Sequence, residues 1–166
     1  MIIIIMGVSG AGKTTIGRLL ARERAWPFYD GDDVHPPANV EKMRRGIPLT
    51  DVDREPWLRT LRELIERLGA EGRSAVIACS ALKQSYRERL AAGLPGVRFV
   101  YLRGDPALIR QRLAQRHGHF MPAELLQSQL EALEQPHDAI VVDVAAPLEA
   151  IVGQITRALD GTATRT

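Results

Sequence analysis

Eight residues near the start of the chain, Gly7-Val8-Ser9-Gly10-Ala11-Gly12-Lys13-Thr14, fit the spacing G-x-x-x-x-G-K-[ST]. Such a loop turns successive backbone N–H groups inward as a nest for anions. The helix that follows brings the positive end of its dipole to the same point. A polyphosphate is the natural guest. The glycines let the backbone pass close to the phosphates, Lys13 reaches the β- and γ-phosphates, and the Thr14 hydroxyl is placed to ligate Mg²⁺. A glycine-rich turn that binds nothing is the competing reading. Context favours the nest, because a β-branched apolar run (Ile2 to Met6) precedes the loop and a helical pattern (Thr14 to Arg24) follows it.

A second group of reactive side chains lies in Asp30-Gly31-Asp32-Asp33-Val34-His35. One aspartate here is able to accept a proton from a substrate hydroxyl or hold that hydroxyl by a hydrogen bond, and Asp32 is the residue chosen for the role. Asp30 or Asp33 would instead orient water on Mg²⁺, a cation that takes oxygen ligands and keeps several waters. The same letters also suit a turn with helix-capping carboxylates, and His35 suits either a turn or a substrate contact. Beyond it, Lys42 and Arg54 are candidates to grip an anionic or polyhydroxylated substrate, with Asp51 and Asp53 as their alternative partners. Ser80, Lys83 and Arg87 follow an apolar run and are candidates to face the same cleft. Cys79 reads as a small buried hydrophobe. Arg112 and Arg116, one helical turn apart, precede His117-Gly118-His119-Phe120-Met121-Pro122. A helix, a glycine-containing connection and a proline-started helix would make a lid that carries arginines onto phosphates.

The elements that must position these groups alternate. Short β-branched runs at Ile2–Met6, Phe28–Asp30, Ala75–Cys79, Arg98–Leu102 and Ile140–Val142 predict five strands. Helical patterns occupy Thr14–Arg24, Ala38–Arg45, Pro56–Gly69, Lys83–Ala92, Pro106–Arg116, Pro122–Leu133 and Pro147–Leu159. The alternation predicts an α/β fold with a parallel sheet covered by helices on both faces, whose ligands bind beyond the carboxyl ends of the strands. Residues 1–160 form one domain with a lid at about 117–128, and 161–166 read as a frayed tail.

Composition narrows the classes further. A chain of 166 residues, 45% hydrophobic, has room for one core but not two domains. With 22 basic and 20 acidic residues, the net charge of +2 gives no reason to expect a nucleic acid. No apolar run is long enough for a membrane span, and nothing resembles a signal peptide, so a cytoplasmic protein without a membrane partner is expected. One cysteine and four scattered histidines offer no zinc spacing.

Several longer segments resemble the gluconate kinase (gluconokinase) family: DGDDVHP, NVEKMRRGIPLTDVDREPWL, ACSALKQSYR, HGHFMP and SQLEALEQP, together with the phosphate loop. They span most of the chain, from about Gly7 to Pro136. The resemblance implies a P-loop kinase fold, a homodimer, and transfer of the ATP γ-phosphate to the C6 hydroxyl of D-gluconate. It carries the nucleotide loop onto Gly7 to Thr15, and substrate-side positions onto Asp32, His35, Lys42, Arg54, Ser80, Lys83, Arg87, His119 and Gln129. In that scheme Lys13, Mg²⁺ on Thr14 and a lid arginine, Arg116 with Arg112 nearby, stabilise the transferring phosphoryl group while Asp32 aligns the sugar hydroxyl. Another small-molecule kinase, acting on shikimate, a nucleoside monophosphate or a polyol, would share the loop. So would a nucleotide-binding module without transferase activity.

Overall fold

A computed structural model describes residues 1–115 and 125–163. Five strands, β1 (Ile2–Met6), β2 (Phe28–Asp30), β3 (Ala75–Ala78), β4 (Val97–Arg103) and β5 (Ile140–Asp143), form one parallel sheet in the order β2-β3-β1-β4-β5. The chain steps from β1 outward to β2, returns to β3 beside β1, then crosses to β4 on the other side. This reversal opens a crevice at the carboxyl end of β1, where the phosphate loop begins. All five strands fall within a residue or two of their sequence assignments.

β1 is buried along its whole length because each face of the sheet is covered. Ile3 and Ile5 point to one side with Val76, Val100, Leu102 and Val142. There they meet Ile16 and Leu20 of α1 (Lys13–Glu23) and Ile151, Val152 and Ile155 of α7 (Leu148–Ala163). Ile2, Ile4 and Met6 point to the other, with Ile77, Phe99 and Tyr101. That face is covered by Trp57, Leu58, Leu61, Ile65 and Leu68 of α3 (Asp51–Ala70) and by Tyr86 and Leu90 of α4 (Gln84–Ala91). The remaining helices, α2 (Pro37–Arg44), α5 (Pro106–Ala114) and α6 (Leu125–Ala132), gather around the carboxyl end of the sheet. Among the described residues no helix is long and apolar enough to cross a membrane.

Two boundaries differ from the sequence reading. α3 starts at Asp51, not Pro56. Thr50 and Asp53 form a reciprocal capping box in which the Thr50 hydroxyl accepts from the Asp53 N–H at 3.1 Å and the Asp53 carboxylate accepts from the Thr50 N–H at 2.9 Å. The cap secures a turn ahead of Pro56, whose missing N–H falls opposite the carbonyl of exposed Val52, within reach of water. α7 continues to Ala163, four residues beyond the Leu159 end read from the sequence, and 164–166 lie outside the described residues. Replacing Thr50 by Ala should lower stability to urea by about 1 kcal/mol, the usual worth of such a cap. An unchanged unfolding midpoint would show that the turn before Pro56 is held by something else.

Candidate active site

The phosphate loop owes its shape to two glycines in left-handed conformations and to the helix packed on it. Gly10 (φ +84°) and Gly12 (φ +96°) turn the backbone, and a Cβ on Gly10 would come within 2.7 Å of Leu113 on α5. Gly12 is the N-cap of α1 and offers no side-chain acceptor, so the first-turn amides of the helix remain donors for an anion. The Lys13 ammonium donates to the Val8 carbonyl at 3.0 Å. The N–H of Ser9 donates to the Gln129 side chain on α6 at 2.6 Å, and that of Gly7 to the Ser80 carbonyl at 3.3 Å.

The side chain of Asp30 ties the acidic turn after β2 to this loop. One carboxylate oxygen of Asp30 accepts from the Thr14 hydroxyl at 2.8 Å, and the other accepts from the Asp32 N–H at 3.1 Å. Residues Gly31–Val34 form a short 3-10 turn with Asp30 as its cap. Gly31 lies so close to the end of β3 that a Cβ would fall 2.5 Å from the Ala78 carbonyl oxygen, which is why glycine stands there. The charges of Asp32, Lys13 and Asp30 all act on Cys79 at the end of β3. Burial pushes the Cys79 thiol up to about 12, leaving it an inert part of the core. β3 ends at Ala78 without an acidic residue, and the carboxylate that meets the Thr14 hydroxyl is that of Asp30 at the end of β2.

Thr14 and Asp30 fit a Mg²⁺ ion that accompanies a nucleotide. By donating its proton to Asp30, the Thr14 hydroxyl keeps lone pairs for a hard cation. Among the described residues no group of three or more His, Cys, Asp or Glu could hold a metal alone, so the ion would complete its shell with phosphate oxygens and water.

On the acceptor side, α2, the N-terminus of α3 and the N-terminus of α4 converge. Lys42 pairs with Asp53 at 2.7 Å, and the buried Asn39 side chain donates to the Asp53 backbone carbonyl at 2.7 Å. Lys83 pairs with both oxygens of Asp51 at 2.9 and 3.0 Å, and the Tyr86 hydroxyl donates to the same carboxylate. The Arg54 guanidinium donates to the Leu49 carbonyl and lies over the Tyr86 ring, 5.8 Å from its centroid. Among the described residues it has no carboxylate in ion-pair contact. His35 stacks on Trp57 with centroids 4.5 Å apart, while the Trp57 indole N–H donates to the Gly31 carbonyl at 2.7 Å.

Most of the residues picked out in the sequence are thus brought to one end of the sheet, with three exceptions. Arg87 does not face the cleft. It is buried, and its guanidinium binds the carbonyls of Ala81 and Leu82 at 2.9 and 3.0 Å, holding Ala81 in a left-handed conformation (φ +42°) beside the loop. Arg116 and His119, with residues 117–124 of the expected lid, lie outside the described residues. Arg112 donates to the Val144 carbonyl at 2.7 Å and lines a cavity of about 310 Å³ with Gly10, Gly12, Thr15, Ala146 and Leu148. Sequence reading missed the far wall of that cavity, since Val144, Ala146 and Leu148 carry only an apolar signal shared with any core segment.

A parallel sheet whose first strand runs into such a loop, facing a charged acceptor region, defines a small-molecule kinase of the P-loop class. A family model described as an AAA domain matches residues 2–137. The gluconokinase of Gluconobacter oxydans is 49% identical over 136 residues, 82% of this chain and 76% of that one. A crystal structure of a gluconokinase from Sinorhizobium meliloti superposes with a TM-score of 0.84 at 44% identity, over 99% of this chain and 96% of that one. The shikimate kinase of Aquifex aeolicus, at 21% identity and a TM-score of 0.64 over all of both chains, shares the fold alone. The chain belongs to the gluconokinase family.

The environment of His35 sets a pH dependence. Burial first, and the nearby Arg54 charge second, lower its pKa from 6.5 to about 4. An unfolded chain takes up this proton near pH 6.5 while the folded chain resists until about pH 4. Stability is therefore full above 6.5 and falls as the pH drops towards 4. Urea unfolding across this range should show the loss in the parent protein and a flatter profile in His35→Phe. Identical slopes would mean that His35 takes up its proton as readily in the folded chain as in the unfolded one.

Proposed function

We propose that this protein is an ATP-dependent gluconokinase that moves the γ-phosphoryl group to the C6 hydroxyl of D-gluconate, giving 6-phospho-D-gluconate and ADP. The observation that carries the reading is the Asp30 carboxylate, which joins the Thr14 hydroxyl of the phosphate loop to the turn bearing Asp32. In a family of gluconokinases, that joint sets a phosphate donor beside an acceptor pocket.

The Gly7–Thr15 loop holds the polyphosphate, and Lys13 exchanges the Val8 carbonyl for phosphate oxygens when nucleotide arrives. The cavity beside Arg112 takes the base. Mg²⁺, when bound, offsets charge on the transferring phosphoryl group. Asp32 accepts a hydrogen bond from the sugar hydroxyl and aligns it for in-line attack, with positioning counting for more than proton removal. Arg54, whose guanidinium is in no ion pair among the described residues, takes the sugar-acid carboxylate. Lys42 and Lys83, held by Asp53 and Asp51, present their ammonium groups at fixed positions for hydroxyl oxygens. Neutral His35 and the Ser80 hydroxyl add uncharged hydrogen-bonding capacity. His119 and Arg116 complete the pocket and the phosphoryl clamp as the resemblance implies, and the protein works as a cytoplasmic homodimer.

A coupled assay of ADP release against a panel of acceptors tests the proposal. ATP turnover should require gluconate and ignore shikimate and nucleoside monophosphates. Asp32→Asn should reduce kcat by about 10²- to 10⁴-fold with ATP affinity little changed. Turnover indifferent to gluconate would overturn the assignment, and full activity in Asp32→Asn would remove Asp32 from its role.

A further inference from the structure

The peptide group between Val8 and Ser9 is gripped at both ends. Its carbonyl accepts from the Lys13 ammonium at 3.0 Å, and its N–H donates to the Gln129 side-chain oxygen at 2.6 Å. Val8 and Ser9 are both buried, so this N–H has little recourse to water if its acceptor is removed. Gln129 belongs to α6, and the packing of α6 fixes where its side chain can reach. Leu126 lies in the core cluster that contains Val8 and Ala11 of the loop. Leu125 is buried with Met43 of α2 and Leu49 of the α2–α3 connection.

We infer that Gln129 is a positioning residue for the phosphate loop, not a ligand of the sugar acid. Its oxygen pins the Val8–Ser9 peptide in one orientation. When phosphates draw Lys13 away from the Val8 carbonyl, the bond from Ser9 still prevents that peptide from rotating and spoiling the nest around it. Because α6 also packs on α2 and the connection to α3, the same helix sets the loop against the acceptor side. This inference rests on the reading of the loop as a nucleotide site.

Gln129→Met keeps the length and bulk of the side chain and removes the accepting oxygen. ADP affinity measured by calorimetry should weaken about tenfold, the scale of one lost hydrogen bond. Amide exchange at Ser9 should accelerate, and the KM for gluconate should stay unchanged. Gln129→Glu, which retains an accepting oxygen, should restore protection of the Ser9 amide. A raised KM for gluconate with unaltered ADP affinity and unaltered Ser9 exchange would overturn the inference and return Gln129 to the substrate. So would a variant indistinguishable from the parent. Should Gln129→Met fail to fold, Gln129→Asn, one methylene too short to reach Ser9, is read in the same way. If the parent protein bound no ADP, the nucleotide reading itself would fail, and Ser9 exchange would still decide whether the clamp exists.

Discussion

One carboxylate, that of Asp30, fixes the distance between the two halves of the site. Its two oxygens face in different directions, one towards the Thr14 hydroxyl at the start of α1 and the other towards the N–H of Asp32. The strand beneath it holds Asp30 still, since β2 pairs with β3 as far as Asp30 opposite Ala78. Gly31 then lets the turn press against the Ala78 carbonyl. A shift of this turn would change the approach of an acceptor hydroxyl to the donor phosphate, and a misplacement of about 1 Å is enough to cost a hundredfold in rate.

The acceptor region uses structural groups for more than one purpose. Asp53 caps α3 through Thr50, pairs with Lys42 and receives the Asn39 side chain on its backbone carbonyl, so the start of the helix and the position of a cation are set together. The Lys42 ammonium, the largest cause, and the Thr50 N–H hold its carboxyl down, to about 2. Asp51 does the equivalent for Lys83 and Tyr86. His35, kept neutral against Trp57, adds a hydrogen-bonding ring without adding charge. Side chains held in this way offer donors and acceptors at fixed positions, as the proposed sugar-acid substrate would require.

The frame was legible in the sequence because its signals are local. A β-branched run buried on both faces reads as a strand wherever it occurs, and the loop motif announces its own strand and helix. The α3 boundary was misplaced because Pro56 looks like a first-turn proline, although Thr50-Asp51-Val52-Asp53 carried the capping pattern that sets the true start. Arg87 was misread for a different reason: spacing on a helix cannot tell whether an arginine turns outward to a ligand or back to carbonyls of its own connection. Gln129 was read as a substrate-side residue, and its bond to Ser9, which spans 120 positions, has no local trace in the sequence.

The most direct test of this account is a structure with a non-hydrolysable ATP analogue, Mg²⁺ and gluconate bound together. The account predicts the C6 oxygen within hydrogen-bond reach of Asp32 and about 3–3.5 Å from the terminal phosphorus, in line with the bond to be broken. A sugar acid seated away from the turn after β2, or with its C6 end pointing out of the cleft, would contradict it.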